Sequence, residues 1–374
     1  MEDEYGKMTS EGDKFTIKNF KLESGETLPT ATLNYRTYGA LNEAKDNVIV
    51  VCHALTGNAS LDGWWGGLLG EGKAFDTNKY LVVCCNILGS CYGSTSPTSI
   101  DPSTSLPYGI TFPDVSVQDG VRLQLALLKE GIGASSIKSV IGGSFGGMQT
   151  LEFAVQTSSP HSPPNPPSSS PKPYVRSCIP IACGTRHTAW QIGISEVQRQ
   201  CIYKDPKWLN GNFTPTDPPR AGLELARQIG MISYRTKDAY DNKFGRETKN
   251  GVEYGKYAHW EVKSYLEYQG EKFLERFDPI TYIKLTEQMD SHDVGRGRGG
   301  CASALGQVKI PVCVMGIDSD VLYPIEQQRE IYDLLGGGGG RKFIEIKSEA
   351  GHDGFLLEQE QVGRGIQEFL DLIE

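Results

Sequence analysis

Short apolar runs, each followed by a polar loop that contains glycine, recur along the first half of the chain. Val48–Cys52 and Tyr80–Asn86 are two of them. Runs of this length are typical of strands buried on both faces, as in a parallel sheet. Residues 14–41 differ, because polar and apolar positions alternate there around a glycine turn at Gly25. That pattern predicts a β-hairpin.

Further along, the hydrophobic period becomes helical and then returns to short runs. Within residues 115–131, Val117, Val121, Leu125 and Leu128 recur on one face of a 3.6-residue period, which predicts a helix. The remaining predicted elements are the strands Ile137–Ile141, Val175–Cys183, Ile310–Asp318 and Lys342–Ile346, a helix over Pro324–Leu335, and a C-terminal helix with Val362, Ile366, Phe369, Leu370 and Ile373 on one face.

The order of these elements predicts an α/β fold with a mostly parallel central sheet and helices on both faces. Strands and helices alternate over 14–185 and again over 301–374, which we assign to one core domain. Residues 186–300 are rich in helix formers, aromatic residues and charges, and we interpret them as an inserted helical lid over the strand ends. Residues 157–173 hold seven prolines, so they predict a disordered surface insertion.

Composition narrows the function classes. The formal net charge is −9, which argues against a nucleic-acid surface because such surfaces need clustered basic residues. The polar start lacks the features of a secretory signal, and no stretch reaches the roughly 20 apolar residues that span a bilayer. The nine cysteines lack metal-site spacing. We therefore expect a cytoplasmic protein with reduced thiols, no metal and no membrane contact.

The strongest chemical signal is the G-x-S-x-G sequence Gly142–Gly146, which lies between a predicted strand and a predicted helix. In that context the motif forms a sharp turn that presents the serine hydroxyl above the strand ends. Ser144 is therefore the candidate nucleophile. The alternative is a glycine turn whose serine only caps a helix.

A serine nucleophile needs a base and an acid, which in α/β-hydrolases follow it in the order acid, then histidine. His352 lies in a polar glycine loop after the last predicted strand and is the candidate base. Asp318 and Asp320 both follow a predicted strand, and loop position does not separate them. For the oxyanion hole, the amides of Phe145 and of Leu55, in the loop after an early strand, are the candidates.

Segments spread over nearly the whole chain from about residue 14 resemble the homoserine O-acetyltransferase family. The similar segments are Cys52–Gly57, Phe75–Thr77, Asn86–Gly89, Gly142–Gln149, Glu196–Gln200, Asp205–Trp208, Ser233–Arg235, Phe277–Asp278 and Gly351–Phe355. Many motifs in one order are more specific than any single motif. Phe145 differs from the family's more usual methionine, so the acyl pocket is expected to be reshaped.

The resemblance implies roles for particular residues. Asp320 matches the family's triad acid. Arg227 and Tyr234 match positions that bind the substrate, and Asp353 matches the carboxylate that receives its ammonium group. An α-amino acid needs one cation and one anion, which agrees with this set.

The resemblance also implies the reaction. An α/β-hydrolase-fold acyltransferase would move the acetyl group of acetyl-CoA, a co-substrate rather than a bound cofactor, to the hydroxyl of L-homoserine through an acetyl-Ser144 intermediate. The products would be O-acetyl-L-homoserine and coenzyme A, for methionine biosynthesis. The family further implies a homodimer assembled through the lid.

Three alternatives remain open at this stage. The same residues would serve another acyl pair, with succinyl-CoA as donor or with serine or deacetylcephalosporin C as acceptor. They would also serve ester hydrolysis. A different class of protein is a non-catalytic binding module that keeps the fold.

Overall fold

An eight-stranded sheet forms the centre of the described part of the computed structural model, which covers residues 11–158, 173–337 and 340–373. The strands are β1 Asp13–Lys21, β2 Thr27–Tyr38, β3 Val48–Cys52, β4 Leu81–Cys85, β5 Ile100–Asp101, β6 Leu106–Pro107, β7 Ile137–Gly143, β8 Cys178–Ile181, β9 Val312–Ile317 and β10 Arg341–Ile346. The order in the main sheet is β1-β2-β4-β3-β7-β8-β9-β10, and β5 pairs separately with β6.

The sheet is parallel from β4 to β10, and the predicted hairpin adds two antiparallel strands at one edge. The hairpin and the apolar-run strands are confirmed. β7 runs two residues beyond the predicted Ile141, because Gly142 and Gly143 still pair with β8 although they add no apolar signal. β8 is shorter than predicted, since Val175 makes only an isolated bridge to Ile137.

The helices pack on both faces of the sheet and over one end of it. They are α1 Leu61–Trp64, α2 Val117–Ala126, α3 Phe145–Ser158, α4 Ala189–Tyr203, α5 Arg220–Ser233, α6 Lys237–Phe244, α7 Glu261–Phe273, α8 Pro279–Asp290, α9 Cys301–Gly306, α10 Ile325–Leu334, α11 Gly354–Leu357 and α12 Gln359–Leu372. Short 3₁₀ turns cover Gly109–Thr111, Leu209–Gly211 and Gly351–Asp353, and a π-helical turn over Leu127–Gly131 extends α2.

The central strands separate two hydrophobic layers. Along β3, Val48, Val50 and Cys52 join the layer on one face, whereas Ile49 and Val51 join the layer on the other. All five residues are buried, which explains why the strand reads as a continuous apolar run instead of an alternating one. The fold is therefore the doubly covered α/β sheet that the sequence predicts.

Helices α4 to α8 fall within the range 186–300 that was interpreted as the lid. A third apolar cluster joins this segment to the strand ends, where Leu55 and Phe145 of the core pack with Ile202, Leu223 and Phe273 of the lid. The predicted insertion at 157–173 lies, for residues 159–172, outside the described residues. In the described ranges we find no helix that is both long and apolar enough to cross a bilayer.

Candidate active site

The loops that follow the parallel strands meet at one edge of the sheet, and Ser144 lies there at the β7–α3 turn. Its φ of 58° is in the left-handed region, which a serine adopts only when its surroundings impose it. The turn is tight because its glycines leave no room for side chains. A Cβ on Gly142 would lie 2.5 Å from the Gly146 carbonyl carbon, and one on Gly146 would collide with the Cys52 carbonyl. The motif is therefore a strained elbow and not a simple helix cap.

His352 bridges Ser144 and Asp320 in one hydrogen-bonded line. Its Nε2 lies 2.8 Å from Ser144 Oγ, and its Nδ1 lies 2.7 Å from Asp320 Oδ2. The other oxygen of Asp320 accepts hydrogen bonds from the amides of Leu322 and Tyr323 at 2.9 and 2.8 Å. All three side chains are buried. This is the geometry by which an acid orients a base and the base activates a serine.

Asp318, the other candidate acid, lies in the same loop but turns away from His352. Its carboxylate accepts a hydrogen bond from the Ser348 amide at 3.0 Å and lies 3.3 Å from Lys347 Nζ. It ties the β9 loop to the loop that follows β10. The choice that sequence position left open is therefore decided geometrically, because only Asp320 contacts the histidine.

The protonation of His352 depends on two opposing effects. Burial lowers its pKa, but the charge and hydrogen bond of Asp320 and the charge of Asp353 outweigh burial, so the pKa is raised above its usual 6.5. The charge of Asp320 thus favours the protonated imidazolium form of His352 as well as orienting its ring.

Two amides are available beside Ser144 for an oxyanion. Phe145 is the first residue of α3, so its amide has no acceptor within the helix. Leu55 is the first central residue of a turn that the Gly57 amide closes on the Ala54 carbonyl at 2.9 Å. A central amide of such a turn is not used by the turn itself. Leu55 and Phe145 belong to the same buried apolar cluster.

Arg227, Tyr234 and Asp353 come together on the lid side of His352. The Tyr234 ring lies 6.2 Å from the His352 ring, and the Tyr234 carbonyl accepts the Asp353 amide at 3.3 Å. Burial raises the pKa of Tyr234, the charge of Arg227 opposes that shift, and the charge of Asp353 adds to it. Asp353 also pairs with Arg235, at 2.6 Å from Nε to Oδ2. A cation and an anion therefore flank the phenol next to the base.

A small cleft of about 20 Å³ opens beside these residues. Leu55 and Tyr323 line it from the core, and the Tyr323 ring lies 5.2 Å from the His352 ring. The lid contributes Tyr234, the apolar residues Ile194 and Met289, and polar side chains such as that of Gln191. In the described ranges no cluster of three His, Cys, Asp or Glu residues is arranged to hold a metal ion.

Comparison with known proteins agrees with this architecture and adds a family. Residues 47–359 match the model of the alpha/beta hydrolase fold. A homoserine O-acetyltransferase of Nostoc punctiforme is 44% identical over 93% of this chain and 93% of its own. The chain belongs to the homoserine O-acetyltransferase family.

Solved structures extend the comparison. The crystal structure of homoserine O-acetyltransferase from Bacillus anthracis superposes with a TM-score of 0.85 at 26% identity, covering 96% of this chain and 97% of that one. Esterase E22 superposes with a TM-score of 0.84 at 23% identity, over 96% and 99% of the two chains, and shows the fold alone. The chain thus shares the fold of a solved homoserine O-acetyltransferase over nearly its full length.

Several residues around the site were not singled out from the sequence. Arg235 lies in one of the segments that resemble the family, but its sequence context does not indicate that it is the ion-pair partner of Asp353. His53 is a second such residue, since its ring is buried with Nδ1 2.8 Å from the Ala54 carbonyl and Nε2 accepting from the Ile87 amide. Burial lowers the pKa of His53 to about 4, so it stays neutral and holds the oxyanion loop. Such contacts join distant segments and leave no local pattern.

Proposed function

We propose that Ser144 transfers an acetyl group from acetyl-CoA to the hydroxyl of L-homoserine by a two-step, ping-pong reaction. The observation that supports it most directly is the hydrogen-bonded line from Asp320 through His352 to Ser144. Membership of the homoserine O-acetyltransferase family supplies the donor and acceptor. The reaction yields O-acetylhomoserine, a step of methionine biosynthesis.

In the first step Ser144 attacks the thioester carbonyl of acetyl-CoA while His352 Nε2 takes its proton. The negative oxygen of the tetrahedral intermediate accepts hydrogen bonds from the amides of Leu55 and Phe145. As the C–S bond breaks, His352 returns the proton to the leaving thiolate, so coenzyme A departs as the thiol and Ser144 keeps the acetyl group.

In the second step homoserine occupies the space next to His352. Its carboxylate pairs with Arg227 and the Tyr234 hydroxyl, and its ammonium with Asp353. His352 takes the proton from the side-chain hydroxyl, which attacks the acetyl-enzyme. Collapse of the second tetrahedral intermediate breaks the Ser144 ester bond and returns the proton to Ser144. The amino acid must exclude water, because water in the same position would hydrolyse the intermediate.

The test is to incubate the purified protein with acetyl-CoA, with and without L-homoserine, and to follow coenzyme A release and the masses of products and protein. We expect homoserine-dependent release, O-acetylhomoserine and an acetylated Ser144 peptide. Ser144→Ala should abolish all three. Ser139→Ala, at a buried serine of β7, the strand that precedes Ser144, should retain them.

Other results would move the function elsewhere. Equal release without homoserine would indicate hydrolysis, the activity that the name of esterase E22 describes for a protein of this fold. A donor and acceptor panel with succinyl-CoA, serine and deacetylcephalosporin C would reveal a different acyl pair. Near-full transfer by Ser144→Ala would contradict the covalent mechanism.

We further propose a homodimer that forms through the lid. Helices α4 and α5 pack together and each exposes large apolar residues seven positions apart, Trp190 and Val197 on α4 and Leu225 and Ile232 on α5. Seven residues are two helical turns, so each pair lies on one face. Exposed apolar stripes on neighbouring helices are typical of protein interfaces.

We also propose a cytoplasmic location. All nine cysteines are free thiols, and seven of them are buried. Free thiols in this number suit a reducing compartment. Biosynthesis from acetyl-CoA and an amino acid supports the same location.

A further inference from the structure

Arg276 connects the lid to the loop that carries the predicted oxyanion donor Leu55. It lies between α7 and α8 and is only 7% exposed. Its Nη1 donates to the Thr56 carbonyl at 2.9 Å and to the Tyr92 hydroxyl at 3.1 Å. Thr56 immediately follows Leu55, so a buried lid cation is fastened to the oxyanion turn.

The hydrogen bonds continue from this guanidinium to the Leu55 amide through two peptide groups. The Thr56 carbonyl belongs to the same peptide group as the Gly57 amide, which donates to the Ala54 carbonyl at 2.9 Å. The Ala54 carbonyl in turn shares its peptide group with the Leu55 amide. In a trans peptide the C=O and N–H bonds point in opposite directions. The series of hydrogen bonds therefore starts at the positive charge of Arg276 and ends at the Leu55 N–H, which would face the oxyanion.

This series of hydrogen bonds from Arg276 to the Leu55 peptide group acts in two ways. It fixes the planes of both peptide groups, and each hydrogen bond polarises the next, so a cation at one end makes the last N–H a stronger donor. His53 Nδ1, 2.8 Å from the Ala54 carbonyl oxygen, braces the same peptide group from the core side. Burial raises the strength of these interactions, since water does not screen them.

Arg276 also lies beside the proposed acceptor site. Its guanidinium carbon is 4.9 Å from the centre of the Phe273 ring, and that of Arg227 is 5.0 Å from the same ring. The two arginines thus share one aromatic ring but differ in their contacts, because Arg276 donates to the oxyanion turn. Because their contacts differ, the roles of Arg276 and Arg227 can be distinguished experimentally.

We propose that Arg276 is a positioning residue that aligns and polarises the Leu55 amide for both tetrahedral intermediates. The inference rests on the proposed function. Its consequence is that a lid residue controls the first half-reaction, in which no acceptor takes part. An arginine that only bound the acceptor carboxylate would leave that half-reaction unchanged.

The experiment measures acetyl-Ser144 formation in single turnovers, with enzyme in excess over acetyl-CoA and without homoserine, and separately the KM for homoserine. We expect Arg276→Gln to slow acetylation roughly 10- to 100-fold, because misplacing one oxyanion donor costs up to about that much. The KM for homoserine should stay unchanged. Arg276→Lys should recover part of the rate, since an ammonium keeps the positive charge and can still donate to the Thr56 carbonyl.

Arg246→Gln is the matched control, because Arg246 is an exposed lid arginine that packs on the Trp260 ring. It should acetylate at the wild-type rate. Tyr92→Phe is a second probe, which removes a hydroxyl bonded to Arg276 and 3.5 Å from the Thr56 carbonyl without changing charge. It should also slow acetylation, and it keeps the test valid if Arg276→Gln does not fold.

Wild-type acetylation by Arg276→Gln with a raised KM for homoserine would overturn the proposal and make Arg276 an acceptor ligand. Equal rates for Tyr92→Phe and wild type would also overturn it. Failure of the proposed function is separable, because a wild-type protein that ignores acetyl-CoA can still be acetylated by p-nitrophenyl acetate. The same variants are then compared with that ester.

Discussion

At the scale of single residues, the site depends on how one buried imidazole is kept basic. Burial alone would lower the pKa of His352, and the negative charges of Asp320 and Asp353 reverse that effect. The loop after β9 that carries Asp320 also contains Asp318, which accepts a hydrogen bond from the Ser348 amide and does not contact His352. Two aspartates two positions apart therefore have separate environments, which makes them a natural pair for comparison.

We expect acetylation of Ser144 to fall as the pH drops through the pKa of His352, a value above 6.5. The raised pKa means that the imidazole is protonated, and inactive as a base, up to a higher pH than usual. Asp320→Asn should lower the rate about 10⁴-fold, as loss of a triad acid does, and shift the remaining acid limb to lower pH. A pH profile of single-turnover acetylation checks both effects.

Asp318→Asn is the control and should leave the rate and the acid limb in place. If Asp318→Asn abolished acetylation while Asp320→Asn did not, the acid would be wrongly assigned. An acid limb below 6.5 in the wild-type protein would contradict the balance of charge and burial described for His352.

At the scale of elements, the start of helix α4 holds the loop that carries the acid. Three lid side chains contact three consecutive residues of that loop. Trp190 Nε1 donates to the Val321 carbonyl at 3.0 Å, and Gln191 Nε2 donates to the Leu322 carbonyl at 2.7 Å. His187 Nε2 lies 2.5 Å from the Tyr323 hydroxyl. Two of those loop residues supply the amides that hold Asp320. The lid therefore supports the triad as well as the cleft.

Gln191→Met tests this support. The change keeps the side-chain length but removes the donor to the buried Leu322 carbonyl and the acceptor of the Thr188 amide that caps α4. An unsatisfied buried carbonyl costs about 1–3 kcal/mol and a lost cap about 1 kcal/mol, so the free energy of unfolding should fall by at least about 1–3 kcal/mol. Since the acid loop loses one restraint, kcat should fall roughly 10-fold. Denaturant unfolding and steady-state kinetics measure the two effects.

Gln200→Met is the matched change on the same helix. Gln200 is half-buried and bonds Glu196 one turn away at 2.6 Å. Such a pair contributes less than about 0.5 kcal/mol, so stability and kcat should both stay close to wild type. Equal effects of the two substitutions would mean that α4 contributes helix stability alone and does not position the acid.

At the scale of the whole molecule, local pattern predicted the sheet, Ser144 and His352 but not the polar contacts around them, and only the family resemblance indicated Asp320. Apolar runs identify strands such as β3 because both faces are buried, and the glycine elbow marks Ser144 because the turn excludes side chains. The contacts of Arg276 with Thr56 and of Arg235 with Asp353 join residues more than a hundred positions apart. The spacing of hydrophobic residues indicates a helix or strand and its buried face, but it does not indicate which distant residue a polar side chain contacts.

The proposed dimer is the prediction that belongs to the whole molecule. If α4 and α5 form the interface, Val197→Glu combined with Leu225→Glu would bury two carboxylates of each protomer, four in the dimer, against apolar surface. Even one unpaired buried charge costs more than about 2 kcal/mol, so dimerisation should weaken by at least roughly 30-fold. Sedimentation velocity over a concentration series measures the shift to monomer.

Leu106→Glu is the control for the dimer, at an apolar residue that is 65% exposed on β6 outside the lid, and it should leave the dimer intact. A wild-type protein that sediments as a monomer at micromolar concentration would contradict the interface, and the exposed stripes of α4 and α5 would then need another partner.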